Sequence, residues 1–225
     1  MNLLRLTVAK AVANTALRWV PPFLPVLEKA FGATTGQMTT ILGLGEMSGL
    51  STAAVGGQLD RGRERAVMAL SLVAVAVSSL VSLVGTTFSF AVGFVLVVLG
   101  VANCTVAGHA YISHRVAYAG RGRAIGLYET SWAFALLVGA PIIAALIAVF
   151  GWRGPYVMLA VATAAMAALI WRSDEAARPP GHRDDPAPTP GLRAITPAAW
   201  AVIVCSALIA MAVLSVFAIS WVWLD

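Results

Sequence analysis

Charge is scarce in this 225-residue chain: 11% of its residues are charged, 60% are hydrophobic, and the mean hydropathy is +0.85. A soluble domain carries about 25% charged residues, so the composition excludes a water-soluble globule and requires an integral membrane protein. Cysteine is almost as rare. Cys104 and Cys205 lie far apart in apolar segments, with no Cys or His at metal-ligand spacing, so both read as small packing residues and no metal site or redox compartment follows. There is no glycine-rich nucleotide loop and no His–Glu pairing on one helix of the kind intramembrane metalloproteases use. The connections between apolar runs are too short for a catalytic domain. Nothing therefore points to an enzyme or a cofactor. The last apolar run has no lysine midway, which removes a retinal protein with its Schiff base. The N-terminus, Met1-Asn2-Leu3-Leu4-Arg5, enters a segment broken by Lys10, Asn14 and Arg18, which lacks the apolar core of a signal peptide.

What the chain does have is apolar runs near the roughly 20 residues that cross a bilayer. They fall at 6–27, 37–58, 66–84, 88–112, 125–149, 155–172 and 197–223, predicting an all-α, polytopic membrane helix bundle. The stretch 173–196 holds Asp174, Glu175, Arg178, Asp184 and Asp185 with prolines at 179, 180, 186, 188 and 190. That composition cannot bury a core and reads as a linker. It separates a six-helix block, 1–172, from a seventh span within 197–225. With a cytoplasmic N-terminus, the inner side receives Arg5, Arg61, Arg63, Arg65, Arg115, Arg121, Arg123, Arg172, Arg178, Arg183 and Arg193, and the outer side only Lys29 and Arg153. The positive-inside bias favours that orientation in a cell (cytoplasmic) membrane and disfavours a seven-helix receptor, whose N-terminus lies outside. The formal charge of +5 is spent on these short connections, so no nucleic-acid partner is expected.

Three local patterns stand out. Gly56-Gly57-Gln58-Leu59-Asp60-Arg61-Gly62-Arg63-Glu64-Arg65 is an island of charge between the second and third spans. Arg121-Gly122-Arg123-Ala124-Ile125-Gly126-Leu127 leads into the fifth, and Ala140-Pro141-Ile142-Ile143-Ala144-Ala145 lies within it. The first resembles the major facilitator signature Gly-x-Leu-Ala-Asp-Arg-x-Gly-Arg-Arg. It keeps Gly56, Asp60, Arg61 and the final Arg65, but has Gln58, Arg63 and Glu64 where the signature has Leu, Gly and Arg. The second is similar to the Arg-Gly-x-Ala-x-Gly run of that superfamily. The third is similar to the Gly-Pro-x-x-Gly-Gly core of its antiporter branch, with Ala140, Ala144 and Ala145 for the glycines around Pro141. Gly151-Trp152-Arg153 resembles the usual Trp-Arg turn before the sixth span. In physical terms Gly56 permits close helix approach and Asp60 serves the N-terminal end of the third span. Taken alone, the arginines of the loop read equally as positive-inside anchors.

Ionisable groups within spans mark sites, because burying them is expensive. Counted at about 1.5 Å per residue, Arg18 and Glu46 lie near 18 Å depth and can pair. A second set, His109 and Glu129, lies within roughly 5–9 Å of the inner surface and can also meet. Lys10 is expected to snorkel to water. Asn14, Asn103 and Tyr111 either line a cavity or bond a neighbouring helix. Glu46 shares a face with Gly43, Gly49, Ala53 and Gly57 and reads either as a proton site or as buried glue between helices.

The resemblance implies the N-terminal half of a two-lobed carrier, moving small molecules by alternating access and coupled to protons, with efflux favoured over uptake through the antiporter-like motif. It implies Glu46 or Glu129 as proton carrier, Arg18 as its partner or a substrate contact, and the Asp60 loop as a conformational latch. A second half or second copy is the expected protein partner. A truncated fragment, a half-carrier needing a partner and a non-transporting membrane protein remain alternatives. Substrate identity is not legible.

Overall fold

A computed structural model describes residues 2–173. The linker from Asp174 on, the seventh predicted span and Cys205 lie outside the described residues. Among the described residues the regular elements are helical: α1 (Leu3–Arg18), α2 (Leu24–Phe31), α3 (Thr35–Ser48), α4 (Gly56–Asp60), α5 (Glu64–Ser82), α6 (Thr87–Arg115), α7 (Tyr118–Phe134), α8 (Ala140–Phe150) and α9 (Arg153–Trp171). Four stretches among the described residues are long and apolar enough to cross a membrane: Glu64–Ser82, Thr87–Arg115, Tyr118–Phe150 and Arg153–Trp171. The protein is a multi-pass membrane helix bundle.

The first two predicted spans are each divided rather than continuous. Pro21 and Pro22 cannot donate to the carbonyls four residues back, so α1 ends and a 3-10 turn at Pro21–Phe23 leads into α2. The segment expected as one helix over 37–58 is interrupted by a 3-10 stretch at Gly49–Val55, which separates α3 from α4. The fifth span also changes pitch. A π-turn at Ala135–Gly139 precedes Pro141 and accommodates a ring that cannot fit a regular α-turn. Helix starts are fixed locally. Thr34 with Gln37 and Thr86 with Ser89 form reciprocal capping boxes for α3 and α6, and Asn2 accepts from the Leu4 N–H at 3.2 Å.

The packing follows small side chains. In lipid there is little hydrophobic gain from bringing helices together, so close van der Waals approach has to supply the cohesion. α5 packs on α6 and α9, while α1 lies against α6, α7 and α9. Gly100 of α6 sits so near α5 that a Cβ there would meet the Ser71 carbonyl oxygen at 2.7 Å and Val75 Cγ2 at 2.6 Å. One heptad earlier, Gly93 faces Ser82 and the Ser78 carbonyl in the same way. The α5 serines direct their hydroxyls back to their own helix, Ser71 to the Val67 carbonyl at 2.7 Å and Ser82 to that of Ser78 at 3.0 Å, which leaves a smooth surface for α6.

Two ends of the bundle can be told apart by their contacts. At one, Thr87 donates to the Phe31 carbonyl at 3.0 Å, and Phe31, Phe90, Trp152 and Tyr156 form a ring cluster with centroids 4.9–6.2 Å apart. At the other, Arg65 donates to the Ser173 carbonyl at 3.0 Å, tying the start of α5 to the end of α9. Arg65 and Arg115 lie at this second end, whereas Arg153, next to Trp152, lies at the first.

Candidate functional site

Lys10, Asn14 and Arg18 are four residues apart and so lie along one face of α1. With Glu46 of α3, Thr52, Val98, Val101, Ala102 and Thr105 from α6, and Glu129 and Trp132 of α7, they line a cavity of about 330 Å³. A larger cavity of about 500 Å³, between Leu4, Val8 and Val12 of α1 and Phe134 and Ile142, has no ionisable group in its wall and offers no chemistry beyond apolar contact.

Glu129 is the centre of the polar cluster. Its Oε1 accepts from Lys10 Nζ at 2.6 Å and lies 2.7 Å from His109 Nε2. Lys10 does not snorkel to water. Its side chain is 2% exposed and its ammonium sits 4.2 Å from the centroid of the Tyr128 ring, so the carboxylate and the ring replace solvent. Tyr128 is itself buried, with its hydroxyl donating to the Cys104 carbonyl at 3.0 Å and its ring edge-on to His109. Gly108 makes room for it: a Cβ at that position would collide with the phenol. Asn14 Nδ2 bonds Ser131 Oγ at 3.3 Å.

The sequence places His109 and Glu129 at a shallower depth than Arg18 and Glu46, whereas in the structure Glu129 and Arg18 line one cavity. The helix bearing Glu129 starts at Tyr118 rather than 125, which places the carboxylate about 10 Å further along that helix at 1.5 Å per residue. His109 approaches Glu129 but does not itself line the cavity, and neither does Asn103, which is one helical step off the Val98–Ala102–Thr105 stripe. The Asn103 Oδ1 is buried without a hydrogen-bond partner among the described residues. Tyr111 lies buried beneath Arg115, with the guanidinium carbon 4.6 Å from its ring centroid. Glu46 is exposed on the cavity wall, not buried between helices, and Gly43 is exposed with it. Arg18 stacks on Trp132 at 4.4 Å, and its Nε is buried without a hydrogen-bond partner. Glu46 is near enough to act on it electrostatically.

The loop motif behaves differently from its expected roles. Gly56 makes no close approach: a Cβ there would meet no neighbour within 4 Å. The tight contact on this span is instead Gly45 against Phe94. Asp60 ends α4, is exposed, and does not cap α5, whose N-cap is Arg63. Gly62 turns the chain at φ 76°, leaving Asp60 three residues short of the capping position. The buried acid is Glu64, a departure from the signature. It is wholly enclosed, in contact with His114 and accepting from Arg115 Nη1 at 3.1 Å. Arg61 is exposed, Arg63 bonds Gln58 at 3.0 Å and Arg65 reaches Ser173. In the fifth-span motif the close contact falls one residue early, with Gly139 against Thr15. Ala140 is half-buried, and Pro141, Ala144 and Ala145 are exposed on this block.

Helices divided at prolines and glycines, a cavity lined by the few intramembrane charges and an ion cluster tying the loop ends agree with one family. The family model for the Major Facilitator Superfamily matches residues 6–224. The chain belongs to the major facilitator superfamily. The match runs beyond the six-helix block, through the linker and the seventh predicted span. No curated protein and no solved structure matches the chain. As a facilitator it is a transport protein of the lipid bilayer, acting on small molecules. Lys10 and Trp132 are among the cavity residues that the sequence reading does not assign to a site. The four-residue spacing of Lys10, Asn14 and Arg18 is the signal for the first. Trp132, three residues after Glu129, shares its helical face.

Proposed function

We propose that the chain is a proton-coupled secondary transporter of small molecules working by alternating access. Its six-helix block, 1–172, acts as one lobe against a second lobe, which a longer protein or a second copy supplies. The linker 173–196 and the span within 197–225 connect to that lobe. The N-terminus faces the cytoplasm of a cell membrane, as the arginine distribution favours. Efflux is preferred on the likeness of Ala140–Ala145 to the antiporter motif.

The observation that carries the reading is Glu129, a carboxylate on the cavity wall held by Lys10 at 2.6 Å and His109 at 2.7 Å. Such a group can take and release a proton within the bundle, and its two nitrogen partners tune the exchange. The charges on the cavity wall are Lys10, Arg18, Glu46 and Glu129. With all four ionised they cancel, and a proton on Glu129 leaves the cavity one unit positive, which is the charge change that coupling needs. The buried ion cluster at Glu64 holds the arginine-bearing ends of α5 and α6 together, so the conformational latch is assigned to Glu64, His114 and Arg115 in place of Asp60.

In vesicles holding the active assembly, an imposed pH gradient drives solute flux with counter-movement of protons. Glu129→Gln removes the dependence on the gradient while solute exchange across equal pH persists. Flux that ignores the gradient, or gradient-driven flux that survives Glu129→Gln, would overturn the reading.

A further inference from the structure

The four charges of the cavity are not equivalent. Lys10 and Glu129 satisfy one another at 2.6 Å. Arg18 and Glu46 lie on the same wall and interact electrostatically, yet among the described residues they form no ion pair or hydrogen bond with each other or with anything else. Trp132 holds the guanidinium against its face at 4.4 Å. That stacking leaves the two Nη groups of Arg18, donors with no acceptor, free to meet a planar bidentate acceptor, while Nε is buried. Glu46, when ionised, only accepts hydrogen bonds, so its complement is a cationic donor. Two opposite charges left unsatisfied within a bundle are costly. A solute with one charge would satisfy one of them and strand the other.

We propose that this cavity binds a small zwitterion, with its carboxylate on the Arg18 guanidinium, its ammonium on the Glu46 carboxylate and its apolar part against Val98 and Val101. The proposal rests on the reading above that the cavity is the transport site and names the substrate class for it. A volume of about 330 Å³ is at the lower end of small-molecule sites and suits a solute of amino-acid size. Both charges of the solute are matched and the neutral balance of the wall is kept, so the solute need not bring a counter-ion.

The test uses two sets of probes in which one charge is removed at a time: leucine, N-acetylleucine and leucinamide, then phenylalanine and its two corresponding derivatives. Binding to the full chain in lipid nanodiscs is measured by calorimetry, with thermal unfolding confirming that each variant is folded. The zwitterion of at least one set is expected to bind about tenfold or more tighter than either of its single-charge analogues, the size of one charged hydrogen-bonded contact. Glu46→Gln removes its advantage over the N-acetyl compound, and Arg18→Gln removes its advantage over the amide. Arg18→Lys, which keeps charge but loses the fork, gives an intermediate loss. Equal affinities within both sets, no binding by either set, or selectivity untouched by both substitutions would overturn the proposal. Flux in vesicles that hold the chain together with its second lobe separates the two readings. Selective zwitterion binding without flux upholds the ligand class and refutes transport, while flux with no preference for zwitterions refutes the ligand class and upholds transport.

Discussion

Removing Glu129 and removing Lys10 should have unequal effects on stability, although they form one ion pair. The Lys10 side chain is 2% exposed and that of Glu129 is 44% exposed. Glu129→Gln strands an ammonium in the bundle interior. Breaking a buried pair in this way costs about 3–5 kcal/mol, and the Tyr128 ring at 4.2 Å keeps the loss near the lower figure, since a cation over a ring contributes about 0.5–2 kcal/mol. Lys10→Met leaves a carboxylate that still meets His109 at 2.7 Å and cavity water. Exposed pairs are worth about 0–1 kcal/mol, so this loss should stay near 1 kcal/mol. The expected gap is therefore about 2 kcal/mol, with the double variant losing less than the sum of the two singles. Unfolding of the purified chain in mixed micelles, followed by tryptophan fluorescence across a denaturant series, measures all three. Equal losses for the single variants, or a larger loss for Lys10→Met, would show that the ammonium is solvated and that the described burial is not what holds the pair.

Other outcomes follow from the same geometry. Gly100→Ala should lose about 1–3 kcal/mol, because a Cβ meets the Ser71 carbonyl at 2.7 Å and overpacking costs that much. Gly126→Ala, with no neighbour within 4 Å, should instead hold or gain up to about 1 kcal/mol from helix propensity; the same unfolding measurement compares them. Glu64→Gln should destabilise by about 3 kcal/mol, since it removes the enclosed carboxylate shared by His114 and Arg115. Asp60→Asn, at an exposed site, should stay within about 0.5 kcal/mol. A single cysteine at Arg63, in a chain whose Cys104 and Cys205 are replaced by alanine, should react with an impermeant maleimide only from the cytoplasmic side. Labelling only from outside would reverse the proposed orientation.

The helical character of the described residues was legible because hydropathy records where backbone must satisfy itself in lipid, whereas the runs at 6–27 and 125–149 read as continuous and are broken at Pro21-Pro22 and before Pro141, where a proline lacks the N–H that a regular helix needs. Rotation about each helix axis was less legible. Hydropathy does not distinguish a face turned to lipid from one turned to another apolar helix, and here the rotation is set by Gly93 and Gly100 meeting Ser71, Ser78 and Ser82. Those seven-residue spacings are present in the sequence but are individually unremarkable in membrane helices. Depth was misjudged for a related reason. Glu129 was counted from a boundary at 125, but the polar stretch Tyr118–Ala124 continues the same helix, since backbone hydrogen bonding does not stop where hydropathy falls.

Glu64 shows where pattern matching and physics part. Against the signature it is a mismatch, an acid in place of a base, while Asp60 matches and lies exposed. A carboxylate in the first turn of α5 faces the helix's own unpaired N–H groups, and two basic side chains, His114 and Arg115, end the neighbouring α6. Reading those three residues as charges at the adjoining ends of two antiparallel helices leads to the cluster that is formed. Reading them as letters of a motif leads to Asp60. The same holds for Lys10, whose partner follows from its four-residue spacing to Asn14 and Arg18 and from the few intramembrane acids available to it. In a chain with so little charge, an enclosed ion such as the Lys10 ammonium or the Glu64 carboxylate calls for a counterpart, and the list of candidates for it is short.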